Sequence, residues 1–303
     1  MANKDNFKLI EDIRLQANAD YFFNIFKLNV KNGLIKNDGT NDLLNFIDKY
    51  VIDDLSEKFY KNIDVGTELY RARIVDLSKG YLNDGVAVSL KEDKYFTSGY
   101  DEANSREAPL GVGEAGRNNI RGVSYLYLAN SVDTACVEVK PYVGCYISVA
   151  RFKVTIPTRI IDFSDDKTFE VQDVINDNVA LGTLFTNIMR QYFLPISNKE
   201  DYAATQILTD YIRKSGIDGI AYRSFYDKKG INYTFFNSSR KRFEYIDSKL
   251  LVHQSERRTF LDFNDKKVRT TNSYGRADYN EDDAVKILQE LSKIPQEKLE
   301  RNK

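Results

Sequence analysis

Apolar positions recur near helical spacing through the first sixty residues and change to strand spacing after Gly66. Phe7, Ile10, Ile13 and Leu15 are followed by Tyr21, Phe22, Ile25 and Phe26. A polar stretch at 36–40 then gives way to Leu43, Leu44, Phe46, Ile47, Val51, Ile52, Leu55 and Phe59. No strand pattern precedes Gly66, so residues 1–64 are expected to form a small helical module. Beyond it, 68–75 (ELYRARIV) predicts a strand. Residues 78–122 are rich in glycine, including Gly111, Gly113 and Gly116, and are expected to form a long loop. The dense apolar run 123–129 (VSYLYLA) predicts a buried strand. Ser131 and Asp133 can cap a short helix over 134–140, which Pro141 stops.

Strands are expected at 146–156 and 159–163, split by Pro157. A long helix is expected over 173–193 and another over 200–215, with Gly216 as its C-terminal cap. Residues 217–222, 231–237 and 242–246 predict further strands. From 248 the chain reads as a polar tail with a late helix near 282–293. Strands following strands, with helices interspersed irregularly, favour α+β over a doubly wound parallel sheet. The predicted organisation is therefore 1–64 helical, 65–247 an α+β domain, and 248–303 a tail.

Composition removes several function classes. Among 303 residues, 44 Lys+Arg against 45 Asp+Glu give a net charge of −1, so nucleic acid is not expected as a direct partner. With a single histidine, His253, no multi-histidine zinc or iron site can be formed. Cys136 and Cys145 match no metal motif and make no disulfide framework, which favours a reducing cytoplasm. The charged start MANKDNFKLIEDIR is unlike a signal peptide, and no run of 18 apolar residues is present, so no membrane contact is expected. Neither a GxGxxG after a strand nor a Walker A sequence occurs.

Four patterns can carry chemistry. They are Leu69-Tyr70-Arg71-Ala72-Arg73, Gly116-Arg117-Asn118, Tyr125-Leu126-Tyr127-Leu128-Ala129 running into Thr134-Ala135-Cys136-Val137-Glu138, and Thr205-Gln206 with Asp218-Gly219-Ile220-Ala221-Tyr222-Arg223-Ser224 and Asn232. Taken singly, each has an ordinary structural reading. An arginine on a strand is salt-bridged, Tyr127 is core, Glu138 is a solvated helix residue, and Ser224 is turn chemistry.

Taken in order, the four patterns resemble the RES domain, named for its Arg, Glu and Ser, over about 66–237. The resemblance implies a fold similar to ADP-ribosyltransferases: a split, mostly antiparallel sheet with flanking helices that binds NAD. It implies an NAD-depleting toxin that breaks the nicotinamide–ribose bond, as glycohydrolase or phosphorylase, with NAD as substrate and no further cofactor. The alternative is a mono-ADP-ribosyltransferase acting on a macromolecule. It also implies an Xre-type antitoxin, or another regulator, as protein partner. Position by position, Arg71 matches the family Arg, Glu138 the Glu, Ser224 the Ser and Tyr127 the pocket tyrosine. Glu138 and Arg71 are the expected catalytic pair. Arg73, which strand alternation sets on the same face as Arg71, joins Arg117, Asn118, Tyr127 and Ser224 as an expected NAD contact.

Overall fold

The computed structural model describes residues 14, 17, 20–35, 42–48, 52–53, 59–75, 86–91, 94–164, 194, 201–261 and 268–274. Helix α1 spans 20–31 and α2 spans Asp42–Ile47. Next come strands β1 (Tyr60–Ile63), β2 (Glu68–Val75), β3 (Val86–Lys91) and β4 (Lys94–Tyr100). Helix α3 (Glu102–Ser105), strand β5 (Leu126–Ala129) and helix α4 (Val132–Glu138) follow. Strands β6 (Tyr146–Val154) and β7 (Thr158–Asp162) precede helix α5 (Tyr202–Lys214). The remaining strands are β8 (Gly219–Arg223), β9 (Ile231–Phe235), β10 (Phe243–Val252), β11 (Ser255–Leu261) and β12 (Val268–Tyr274).

Eight strands hydrogen-bond in the order β1-β7-β8-β9-β5-β2-β6-β10. The pairs β1–β7, β8–β9, β5–β9 and β2–β5 are antiparallel, whereas β7–β8 is parallel. A parallel pair needs a crossover connection, and the chain between β7 and β8 contains α5. The class is α+β with a large, mostly antiparallel sheet, as the irregular alternation of elements predicts.

Two compact units are built from non-contiguous chain. The first comprises residues 1–70, 106–135 and 152–245. Its core joins Phe23, Phe26, Leu43, Leu44, Ile47 and Phe59 to Ile161, Ala204, Leu208, Ile212 and Ile220. The spacing of Ala204, Leu208 and Ile212 puts all three on one face of α5, which explains why that face is the buried one. Gly216, at φ +86°, ends the helix in a left-handed turn that a side chain would oppose. The second unit comprises 71–105, 136–151 and 246–303, and within it Val75 and Tyr100 pack with Tyr146 and Leu250.

Several expectations need correction. The first 64 residues are not purely helical, because β1 pairs with β7 from Tyr60↔Ile161 to Ile63↔Thr158. It is an edge strand whose middle residues, Lys61 and Asn62, are exposed, so it lacks the apolar alternation that marks a strand. The glycine-rich stretch 78–122 contains the β3–β4 hairpin, paired from Val86↔Tyr100 to Lys91↔Lys94. The polar tail begins inside β10, which runs to Val252, and includes the β11–β12 hairpin. Polar strands satisfy each other's backbone in a two-stranded ladder without presenting an apolar face. The helices expected over 173–193 and near 282–293 lie outside the described residues.

Candidate active site

In the first unit strand β5 buries Leu126, Leu128 and Ala129, and places Tyr127 on the face opposite Leu126 and Leu128. The Tyr127 hydroxyl donates to Asn119 Oδ1 at 2.7 Å and accepts the Asn118 backbone N–H at 3.3 Å. Burial pushes the phenol far above its ordinary range, so Tyr127 is a neutral donor at any physiological pH. Asn118 is 1% exposed and its Nδ2 donates to Thr234 Oγ1 on β9 at 2.8 Å. Its Oδ1 is buried without a hydrogen-bond partner.

The loop that delivers these groups depends on Gly116. A Cβ there would lie 2.6 Å from Asn119 Oδ1 and 3.3 Å from the Tyr127 hydroxyl. Helix α5 holds the loop from its other side. Gln206 Nε2 donates to the Gly116 carbonyl at 2.8 Å, and Thr205 Oγ1 donates to the Arg117 carbonyl at 2.6 Å. The Arg117 guanidinium donates to the Leu194 carbonyl at 3.1 Å. Arg117, Asn118 and Tyr127 are thus neighbours in the first unit.

Ser224 follows β8 and is 8% exposed. Its Oγ accepts the N–H groups of Tyr226 and Asp227, both at 3.1 Å, so it organises the turn that leads into β9. Helix α4 begins beside that turn. Ser131 caps it, its Oγ accepting the Thr134 N–H at 3.0 Å. Glu138 is the last residue of α4 and is half-buried.

In the second unit Arg71 and Arg73 both reach the last turn of α3. Arg71 Nη1 donates to the Ser105 carbonyl at 3.2 Å, and Arg73 Nη1 donates to the Asn104 carbonyl at 2.5 Å. Cations suit a helix C-terminus, where carbonyls lack intrahelical donors. Burial pulls the Arg73 guanidinium below its ordinary value, which Tyr100 partly opposes. The two arginines share a face and a neighbouring helix, as strand alternation predicts.

Sequence reasoning passed over Asn119, Thr234 and Asp227, and named Thr134 only as part of the motif that ends in Glu138. A polar residue at alternate positions of the otherwise apolar β9, Asn232 and Thr234, was the available signal for Thr234. Among the described residues no group of three or more His, Cys, Asp or Glu gathers as a metal site. Nor is any helix among them long and apolar enough to cross a membrane.

The family profile of the RES domain matches residues 93–259, more than half of the chain. The chain belongs to the RES domain family. The RES domain match takes in all of β4, ends in β11, and contains Arg117, Asn118, Tyr127, Glu138 and Ser224. Arg71 and Arg73 lie upstream of it. Among solved structures, the chain is similar to one in the crystal structure of the M. tuberculosis MbcT–MbcA toxin–antitoxin complex. The likeness has 14% sequence identity and a TM-score of 0.37, over 69% of this chain and 92% of that one. No curated protein matches the sequence.

Proposed function

We propose that the chain is an NAD-consuming enzyme that breaks the N-glycosidic bond between nicotinamide and ribose, as a glycohydrolase or a phosphorylase. The observation that carries this reading is membership of the RES domain family over a match that includes Tyr127, Glu138 and Ser224.

The chemistry suits a chain with one histidine. Nicotinamide is a pyridinium in NAD and departs as a neutral base, taking the bonding pair with it, so the leaving group needs no proton. The ribose passes through an oxocarbenium-like state, as in glycoside hydrolysis. In this reading the Glu138 carboxylate stabilises that positive charge and hydrogen-bonds the ribose 2′-hydroxyl. One preorganised contact of this kind is worth about 3–4 kcal/mol, or roughly a hundred- to a thousandfold in rate. Arg71 and Arg73 offer guanidinium forks to the pyrophosphate. Tyr127, whose hydroxyl is held by Asn118 and Asn119, offers its ring face to the nicotinamide. Ser224 orients the carboxamide or Glu138, and Arg117 and Asn118 complete the contacts to NAD. The acceptor, water or inorganic phosphate, attacks ribose C1′ and gives up its proton to solvent.

Cytoplasmic location, where NAD is abundant, belongs to the same proposal, as does an antitoxin of the Xre type as partner. The test incubates purified protein with NAD, with and without inorganic phosphate, and resolves the products. ADP-ribose in phosphate-free buffer identifies a glycohydrolase, and phosphate-dependent ADP-ribose 1″-phosphate a phosphorylase. NAD loss that requires an added macromolecule and labels it would replace this reading by ADP-ribosyl transfer. Stable NAD under all three conditions would remove it.

A further inference from the structure

We propose that Thr134 and Asp227 are positioning residues, fastening the turn that begins at Ser224 onto the first turn of α4, the helix that ends in Glu138. The functional half of this inference rests on the reading of Glu138 and Ser224 as NAD-cleavage residues.

The hydrogen-bond inventory fixes the direction of the link. Thr134 is fully buried, and its Oγ1 lies 2.7 Å from Asp227 Oδ2, 2.7 Å from Ser131 Oγ and 3.2 Å from Asn130 Oδ1. A threonine hydroxyl has one proton to give. An ionised carboxylate can only accept, so that proton goes to Asp227, and the Ser131 hydroxyl donates to Thr134. Asn130 Oδ1 already accepts the Ile231 N–H at 2.9 Å. Asp227 is held at its other groups by its own turn. Its Oδ1 accepts the Lys229 N–H at 3.0 Å, its N–H donates to Ser224 Oγ at 3.1 Å, and its carbonyl accepts the Gly230 N–H at 3.0 Å. Oδ2 is the atom that leaves the turn to meet the helix.

Packing closes the same seam. A Cβ on Gly230 would lie 2.6 Å from Thr134 Cγ2 and 2.8 Å from Ser224 Cβ, so the turn sits against the helix with no room for a methyl group. The hydrogen bond from Thr134 also lowers the Asp227 pKa, as expected of a donor serving the charged form. Thr134 and Glu138 are four residues apart on one helix, which stacks them on the same face one turn from each other. Whatever fixes the rotation of α4 at Thr134 therefore fixes the direction in which Glu138 leaves the helix. Misplacement of a reacting group by about 1 Å can cost on the order of a hundredfold in rate.

The test uses the full chain with three variants: Thr134→Val, which keeps the shape and deletes the hydroxyl, Thr134→Ser, which keeps the hydroxyl, and Gly230→Ala, which wedges the seam. Steady-state NAD cleavage and hydrogen exchange over 132–138 and 224–230 are measured on each. Thr134→Val is expected to lower kcat by about tenfold or more with KM for NAD changed by less than about threefold. Exchange protection falls in both segments. Thr134→Ser is expected to recover most of kcat, and Gly230→Ala to behave like Thr134→Val. Should Thr134→Val fail to fold, the comparison of Gly230→Ala with wild type carries the same test. Wild-type kcat in a variant whose two segments have lost protection overturns the positioning role, as does a rise in KM alone. Unchanged protection in both Thr134→Val and Gly230→Ala overturns the link itself. That last outcome is readable even if the wild-type chain leaves NAD intact, so failure of the link and failure of the NAD reading are distinguishable.

Discussion

At the scale of single residues, the group asked to do most is Glu138. Glu138→Gln keeps the size and helix propensity of the side chain, so the expected outcome is an unchanged melting temperature and NAD cleavage slower by at least about a hundredfold. Near-wild-type turnover in the folded variant would end its assignment as the charge-stabilising carboxylate. Arg71 and Arg73 are separated by a matched pair of alanine variants. Each loses a hydrogen bond to a carbonyl of the last turn of α3, and that bond is worth about 1 kcal/mol of stability. Activity is expected to fall further for Arg71→Ala; the reverse order would move the family arginine by two residues. Asp227 supplies a pH signature. Its pKa is depressed in the folded chain, first by the Thr134 hydroxyl, so its contribution is present above the ordinary carboxylate value of 3.8 and is lost as pH falls through the depressed one. The stability difference between wild type and Thr134→Val should therefore be full near about pH 6 and shrink below about pH 4, which denaturation at several pH values measures. Tyr127, Glu138 and Ser224 could be singled out because they sit in contiguous motifs. Asn119 and Asp227 could not be, because they meet Tyr127 and Thr134 through loop closure, and Thr234, which meets Asn118 through register, left only the polar alternation of β9 as a sign.

Elements were legible wherever burial imposes a period. The five residues of β8 lie in the row IAYR preceded by Gly219, where a Cβ would come within 2.5 Å of the Thr234 carbonyl, so the strand pattern and its glycine report the same close packing. Helix α5 was legible up to its Gly216 stop. Strands that bury little left no such trace. In β1 the pattern is two exposed residues between a half-buried and a buried one, and in β11–β12 the ladder is built from Arg257↔Asn272, Arg258↔Thr271 and Thr259↔Thr270. The β3–β4 hairpin does carry Val86, Val88 and Leu90 at strand spacing, but the surrounding glycines dominate the reading. The burial that makes an element legible also makes it costly to perturb. Phe26 on α1 is 2% exposed, in one core with Leu208 and Ile212 of α5. Phe26→Ala is expected to destabilise the chain by about 3–5 kcal/mol, to be read from urea denaturation, whereas truncating the exposed Tyr21 of the same helix should cost under about 0.5 kcal/mol.

For the molecule as a whole, the open matter is what residues 1–64 contribute, and the core decides what to expect. Phe23, Phe26, Leu43, Leu44, Ile47 and Phe59 all come from this segment and all pack in the cluster that holds Ile161, Leu208, Ile212 and Ile220. Burying one such side chain is worth about 1.5–3 kcal/mol, and six together are comparable with the whole margin of about 5–15 kcal/mol by which a domain is stable. Removing the segment also strips β1 from β7 and, with it, the Asp162 N–H bond to the Phe59 carbonyl. That leaves β7 as an unpaired edge beside a freshly exposed apolar face, the combination that favours aggregation. A fragment of residues 65–303 is therefore expected to be insoluble, or soluble only with strong dye binding at exposed apolar surface and lost exchange protection in α5. Supplying residues 1–64 in trans should restore protection there, because the interface is apolar and extensive. A 65–303 fragment that is soluble, protected in α5 and active on NAD would contradict this and make the N-terminal segment a regulator carried on a self-sufficient enzyme. A protected but inactive fragment would show instead that the segment shapes the site itself, since none of Arg71, Arg73, Arg117, Asn118, Tyr127, Glu138 or Ser224 lies within it.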